Sequence, residues 1–229
     1  MDLKIKDVVD LLKVSETTIR RWLAEGKIPA YRINNQYRFS RTEIEDWVMN
    51  RKHGKGSETT LFEGHAIEPA GNKQFSLYRA IHKGGVLVNQ PGDTKDEVIR
   101  STMRSIASDL NLDSEIIADL LLDREKLQPT ALNNGIGIPH TRDFLLSSQH
   151  DIVTVVFPKK PLAYGAMDGQ PVHTMFFLFA CDDKRHLHLL AKIAHLSNQP
   201  ANREFLKKKP NKEELLEFIK NWEMQIKSD

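Results

Sequence analysis

Apolar positions recur at helical spacing from the start of the chain, where Ile5, Val8, Leu11 and Leu12 form one stripe of a helix over about 4–13. Ser15 then offers an N-cap and Glu16 a first-turn acid for a second helix, whose inner stripe is Ile19, Trp22 and Leu23. Thr17, Thr18 and Arg21 fall on the opposite side and Arg20 flanks them, so the outer face is short, polar and cationic. Gly26 is a natural helix stop, and 30–33 and 37–39 read as two short strands around the turn-forming Asn34-Asn35-Gln36. Ser40 and Glu43 have capping-box spacing and open a third helix carrying Ile44, Trp47 and Val48. Trp22 and Trp47 read as core. From 53 to 74 the pattern dissolves into Gly, Ser, Thr, Glu, Asn and Pro, the composition of a linker spanning roughly 25 Å r.m.s., with Leu61 and Phe62 its candidate docking residues.

Beyond the linker, helices and strands alternate. Ile99, Met103, Ile106 and Leu110 mark one amphipathic helix, 116–122 a second, Leu187, Leu190, Ala191 and Ala194 a third, and Leu215, Phe218, Ile219 and Trp222 a fourth. The last is preceded by Pro210 and by Asn211 and Glu214 at capping spacing. The runs 152–157 and 175–180 are almost continuously apolar, as strands covered on both faces must be. The expected class is α/β: a small helical module with a hairpin (1–52), a linker (53–74), and a larger α/β sandwich (75–229) with a central mixed sheet flanked by helices.

Composition narrows the setting. With 229 residues, 40% hydrophobic and 28% charged, the chain can build sizeable cores without disulfides or structural metal, and its single Cys181 excludes an intrachain disulfide. One cysteine, no basic-then-apolar leader and no long apolar run predict a cytoplasmic protein without membrane insertion. Net charge is +2, but residues 1–52 hold 11 of the 33 basic and 8 of the 31 acidic side chains, a net of +3, leaving 22 and 23, a net of −1. The basic excess is N-terminal and points weakly to an anionic partner there.

Helix, tight turn, cationic helix and basic hairpin together suit a major groove with a ribbon beside the backbone. The ordered features Val8–Leu23, Gly26-Lys27-Ile28-Pro29, Tyr37-Arg38-Phe39 and Ile44-Glu45-Asp46-Trp47 resemble the excisionase-like and MerR-like winged helix-turn-helix domains. The resemblance implies double-stranded DNA as partner. Thr17, Thr18, Arg20 and Arg21 would read the groove, and Arg32, Asn34, Asn35 and Arg38 of the wing would track phosphate and sugar. So few cationic contacts imply modest, salt-sensitive affinity. A homodimer on a paired site would compensate, although the long pairing helix of MerR-like regulators is missing from the pattern.

The second chemical feature is His140, set directly after Pro139 and following the two glycines Gly135 and Gly137, hence on stiff, close-packed backbone. A preorganised neutral imidazole is a nucleophile suited to phosphorus, and a nearby arginine can clamp phosphoryl oxygens. Taken alone, His140 reads as a satisfied structural histidine rather than a nucleophile, and Arg124 as a surface ion-pair member. The run from Arg124-Glu125 through Thr130 to Pro139-His140, followed by 168–172 and His186-Leu187-His188, resembles the EIIA domains of the mannitol/fructose and nitrogen-regulatory branch of the bacterial sugar phosphotransferase system. This likeness covers about 75–226. It implies that His140 accepts a phosphoryl group from an HPr-type carrier, that Arg124 clamps phosphate and that His186 orients the phosphorylated ring, with His188 left to packing or surface. Thr141 departs from a glycine common in that family, and Asp182 and Asp183 bring negative charge close to the motif.

Metal binding fares poorly on spacing: His186 and His188 are two apart on a predicted helix and diverge, His188 and His195 are two turns apart, and no His-Glu-x-x-His or cysteine pair occurs. Gly84-Gly85 lacks the Lys-Ser/Thr of a phosphate-cradling loop, so no cofactor is expected. The leading expectation is a bacterial phosphotransferase-linked regulator, a phosphohistidine transfer protein rather than a free-standing enzyme, with two rivals. One is a phosphocarrier serving an EIIB domain, its front module binding protein; the other is a transcription factor whose rear domain only dimerises. The linker could act as a simple tether or let the rear domain cover the wing. A phosphoacceptor must meet its donor, so a side chain walled off from solvent with neither companion nearby would defeat this expectation.

Overall fold

The computed structural model describes residues 2–12, 14–33, 36–50, 76–141 and 150–226. Leu61, Phe62, Asn34 and Asn35, together with the expected linker, lie outside them. The N-terminal module contains β1 (Asp2–Leu3), α1 (Ile5–Leu12), α2 (Glu16–Ala24), β2 (Tyr31–Ile33), β3 (Gln36–Ser40) and α3 (Arg41–Asn50). Ser15 caps α2 as its position requires, its hydroxyl accepting the Thr18 amide at 3.1 Å. Gly26 follows α2 at φ +62°, a conformation that favours glycine. Strands β2 and β3 pair antiparallel, and β1 adds to the other edge of β3, a third strand that its two-residue length hides in the sequence. Val8, Leu11, Ile19, Trp22, Phe39 and Ile44 are buried. Trp47 is partly buried against Trp22, ring centroids 5.4 Å apart, and its indole donates to the Lys27 carbonyl. Glu43 does not stay local: it accepts from the Tyr31 hydroxyl across the module.

The larger unit comprises α4 (Leu77–Gly84), β4 (Val86–Gln90), α5 (Lys95–Leu110), α6 (Ser114–Leu127), β5 (Ala131–Leu132), β6 (Ile136–Gly137), β7 (Ile152–Pro158), β8 (Thr174–Phe179), α7 (Asp183–Asn198), α8 (Pro200–Lys207) and α9 (Lys212–Gln225). Its sheet runs β4-β7-β8-β6-β5, with β4·β7 and β6·β8 parallel and β7·β8 and β5·β6 antiparallel. The two apolar runs are the sheet's centre. Their alternate side chains feed two cores, Val153, Val155, Phe157, Phe176 and Leu178 on one face and Val156, Met175, Phe177 and Phe179 on the other. Helices α4, α7 and α9 cover the first face, and α5 and α6 the second. This is the expected mixed-sheet sandwich.

Asn211 and Glu214 form the full capping box on α9. The face it covers is pinned by Glu223, which accepts from Ser76 Oγ at 2.7 Å and Leu77 N at 2.8 Å and pairs with Lys192 Nζ at 2.6 Å. A carboxylate at the N-terminus of α4 thereby ties that helix to α7 and α9. Among the described residues no helix is long and apolar enough to cross a membrane.

Burial lowers the His195 pKa, and burial with the nearby Lys207 lowers that of His173. An unfolded histidine binds its proton near pH 6.5, whereas these folded ones resist it. Stability should therefore be full above about pH 6.5 and decline as pH falls below it. Denaturant midpoints at pH 7.5 and 5.5 check this; His195→Gln should shrink the difference, and an unchanged difference would remove His195 from the account.

Candidate phosphoacceptor site

Two adjacent residues at the end of α6 organise the loop leading to His140. Arg124 is buried and donates from Nη1 to the Gln128 carbonyl at 3.0 Å. Glu125, also buried, accepts from the Thr130 amide at 3.1 Å, the Thr130 hydroxyl and the Tyr164 hydroxyl at 2.9 Å, with Lys95 Nζ at 3.3 Å. Burial and the Glu125 charge push the Tyr164 phenol well above its ordinary pKa, so it stays a donor. Thr130 in turn accepts the Ile138 amide at 2.9 Å, and the Ile138 carbonyl meets His140 Nδ1 at 2.7 Å. A continuous chain of bonds thus runs from Glu125 to the imidazole. Sequence reading had no access to Glu125, Thr130 and Tyr164 as a unit, because Tyr164 joins only through tertiary packing.

The glycines are close-packed as expected. A Cβ on Gly137 would press on Val172 and Tyr164 at 3.3–3.4 Å, and Gly135, at φ +80°, abuts His173. The Pro139 carbonyl accepts the Leu178 amide at 3.0 Å, fastening His140 alongside β8. A carbonyl oxygen only accepts, so His140 Nδ1 carries the proton and Nε2 carries the lone pair.

His186, in the first turn of α7, brings its ring to a centroid distance of 5.1 Å from His140, edge-on at 67°. His188 is buried on the same helix, consistent with packing. Asp182 is spent as the N-cap of α7, accepting the Arg185 amide at 2.9 Å, and Asp183 pairs with Arg41. Neither is a loose charge at the motif.

His140 and His186 are 0% and 1% exposed, so the candidate acceptor is walled off, yet with a companion beside it. Part of the wall is the N-terminal module. Helices α1 and α3 pack on α7, and a carboxylate oxygen of Glu45 lies with one ring nitrogen of each histidine in a group whose atoms are all within 4.8 Å of one another. These three could hold a metal ion, a constellation that spacing along a single helix could not disclose. Glu45 is the residue missed by sequence reading. Its signal was a charged i,i+4 pair with Arg41, now seen at 2.8 Å, on the side of α3 that also carries Val48.

The candidate DNA-reading residues divide. Thr17, Arg20, Arg21 and Arg32 are exposed and Arg38 is partly so. Arg20 donates to Glu16 at 2.7 Å, and Arg38 to Gln36 at 2.9 Å. Thr18, expected on the outer face, is instead buried and hydrogen-bonded to the Ser15 hydroxyl at 2.9 Å, because the cap draws it inward.

Residues 79–222 match the family model for the phosphoenolpyruvate-dependent sugar phosphotransferase system, EIIA 2, and residues 3–52 match a helix-turn-helix domain model. A nitrogen regulatory protein of Pseudomonas aeruginosa is 34% identical over 62% of this chain and 94% of its own length. The mannitol-specific phosphotransferase enzyme IIA component of Geobacillus stearothermophilus is 26% identical over 61% of this chain and 94% of its own. The crystal structure of nitrogen regulatory protein IIA-Ntr from Neisseria meningitidis superposes with a TM-score of 0.54 at 25% identity, covering 60% of this chain and 93% of that one. With matching sequence, sheet order and helical layers, the chain belongs to the EIIA type-2 family of the phosphotransferase system and carries a helix-turn-helix domain at its N-terminus.

Proposed function

We propose that the chain is a phosphotransferase-linked regulator in which His140 accepts a phosphoryl group and the N-terminal domain binds duplex DNA. The observation that carries it is the His140 ring, held at Nδ1 by the Ile138 carbonyl beside His186, with Nε2 as the nucleophile. The donor is a phosphoimidazole on an HPr-type carrier. The Nε2 lone pair forms the new N–P bond as the donor's N–P bond breaks, and that bond's electron pair stays on the donor nitrogen, so no proton is gained or lost between the rings. His186 orients the phosphorylated ring and Arg124 offsets phosphoryl charge, roles supported by the family motif positions they occupy.

Incubation with phosphoenolpyruvate, enzyme I and an HPr-type carrier should place acid-labile, base-stable label on the chain; absence of label at any carrier concentration overturns the reading. For the front domain, Arg21→Ala combined with Arg38→Ala should weaken duplex binding at low salt. It should also reduce the slope of log K against log[salt] by about 0.9 for each phosphate that is no longer neutralised. Wild-type protein without duplex affinity at low salt would favour the phosphocarrier alternative with an EIIB-type recipient.

A further inference from the structure

The N-terminal module faces the rear domain with α1 and α3, while Thr17, Arg20, Arg21 and Arg32 remain exposed to solvent. The interface is more than a surface touch. The module's buried apolar residues, among them Leu11, Ile44 and Val48, belong to one continuous core with Leu187 and Leu190 of α7. Arg41 fastens the edge, pairing with Glu45 on its own helix and with Asp183 at the start of α7. Glu45, 0% exposed, delivers its carboxylate to the two histidines.

From this placement we infer that α3 is a built-in plug for the phosphoacceptor, with the Glu45 carboxylate standing where the phosphoryl oxygens would go, so that docking and phosphorylation of His140 exclude one another. The inference rests on His140 being the acceptor. A phosphoryl group brings nearly two negative charges and three acceptor oxygens. Placed on a ring within this group of atoms, it meets a buried carboxylate of the same sign and the volume that carboxylate fills. A carrier must also reach a histidine that is fully covered when α3 is seated. The plug therefore has to lift before transfer, and the phosphorylated ring keeps it lifted. Linkage requires the two effects to be equal: docking lowers phosphoryl acceptance by the factor by which phosphorylation lowers docking. The output is release of the DNA-binding domain from the rear domain rather than unmasking of its reading face, which docking leaves open.

The test uses the full chain and two variants, Glu45→Ala and Arg41→Ala, each shown to be folded by its circular dichroism and thermal transition. Initial rates of label uptake from the phosphorylated HPr-type carrier are measured with and without EDTA, and small-angle scattering is recorded before and after phosphorylation. Both variants should take up label about tenfold faster than wild type, within the usual range of coupling between sites. Wild type should become more extended on phosphorylation, while the variants are extended from the start. Equal rates in all three proteins with scattering unchanged by phosphorylation would overturn the plug and leave His140 as acceptor. No label on any of the three would overturn both, whatever the scattering shows. A wild-type rate that rises on addition of EDTA alone would make a cation, held by Glu45, His140 and His186, the fastening, and would overturn the carboxylate plug.

Discussion

Replacing His140 with alanine should abolish phosphoryl acceptance, with label from phosphoenolpyruvate, enzyme I and an HPr-type carrier falling to background while the fold survives. The side chain is anchored at the Ile138 carbonyl and packs against His186, so its loss should remove the proposed nucleophile and leave the surrounding scaffold of β6, β8 and α7 in place. His140→Gln is the better matched control, since its amide can donate to the same carbonyl yet has no nitrogen lone pair able to attack phosphorus. His186→Ala should instead slow transfer or shorten the lifetime of the phosphohistidine without ending it. Label persisting on the His140 variants would move the acceptor elsewhere, with His186 the first place to look.

Glu125→Ala should cost about 3–5 kcal/mol, since each buried donor left without its acceptor costs about 1–3 kcal/mol. The substitution strips the Thr130 amide and hydroxyl, the Tyr164 hydroxyl and Lys95 of their shared acceptor, and all but Lys95 are deeply buried. For a domain of this size that corresponds to a fall in Tm of roughly 10 °C. It should also reduce phosphoryl acceptance in the protein that stays folded, because Thr130 holds the Ile138 amide and Ile138 holds the imidazole. Glu125→Gln, which keeps the shape and loses the charge, should recover part of the stability. A Tm shift under about 2 °C for the alanine variant would show that the acceptor at this node is dispensable. Unchanged transfer at normal stability would sever the proposed link to His140.

Much of the fold is legible where local chemistry and periodicity agree. Ser15 caps α2, Asn211 and Glu214 box the start of α9, and the runs at the centre of the sheet are apolar because helices cover both faces. Elements with weaker local pattern escape such reading. Strand β4 is half exposed and partly polar, and its parallel partner β7 lies far along the chain. Helices α4 and α8 escape it too, although at eight residues each they are as long as α1. Thr18 shows the converse: its position suggests the outer face, but the Ser15 hydroxyl draws it in.

From the chain alone come the two units, the central apolar strands, the cationic second helix and the rigid Gly-Ile-Gly-Ile-Pro-His segment, since each is written in neighbouring residues through turn chemistry, capping and side-chain period. Tertiary structure decided the rest. It set the Tyr164 hydroxyl and Lys95 on Glu125, brought His186 beside His140, and carried Glu45 from one unit onto the histidines of the other. Those outcomes depend on contacts between residues remote in sequence, whose energies arise only when packing brings buried charges and hydrogen-bonding groups together, and no local pattern encodes them.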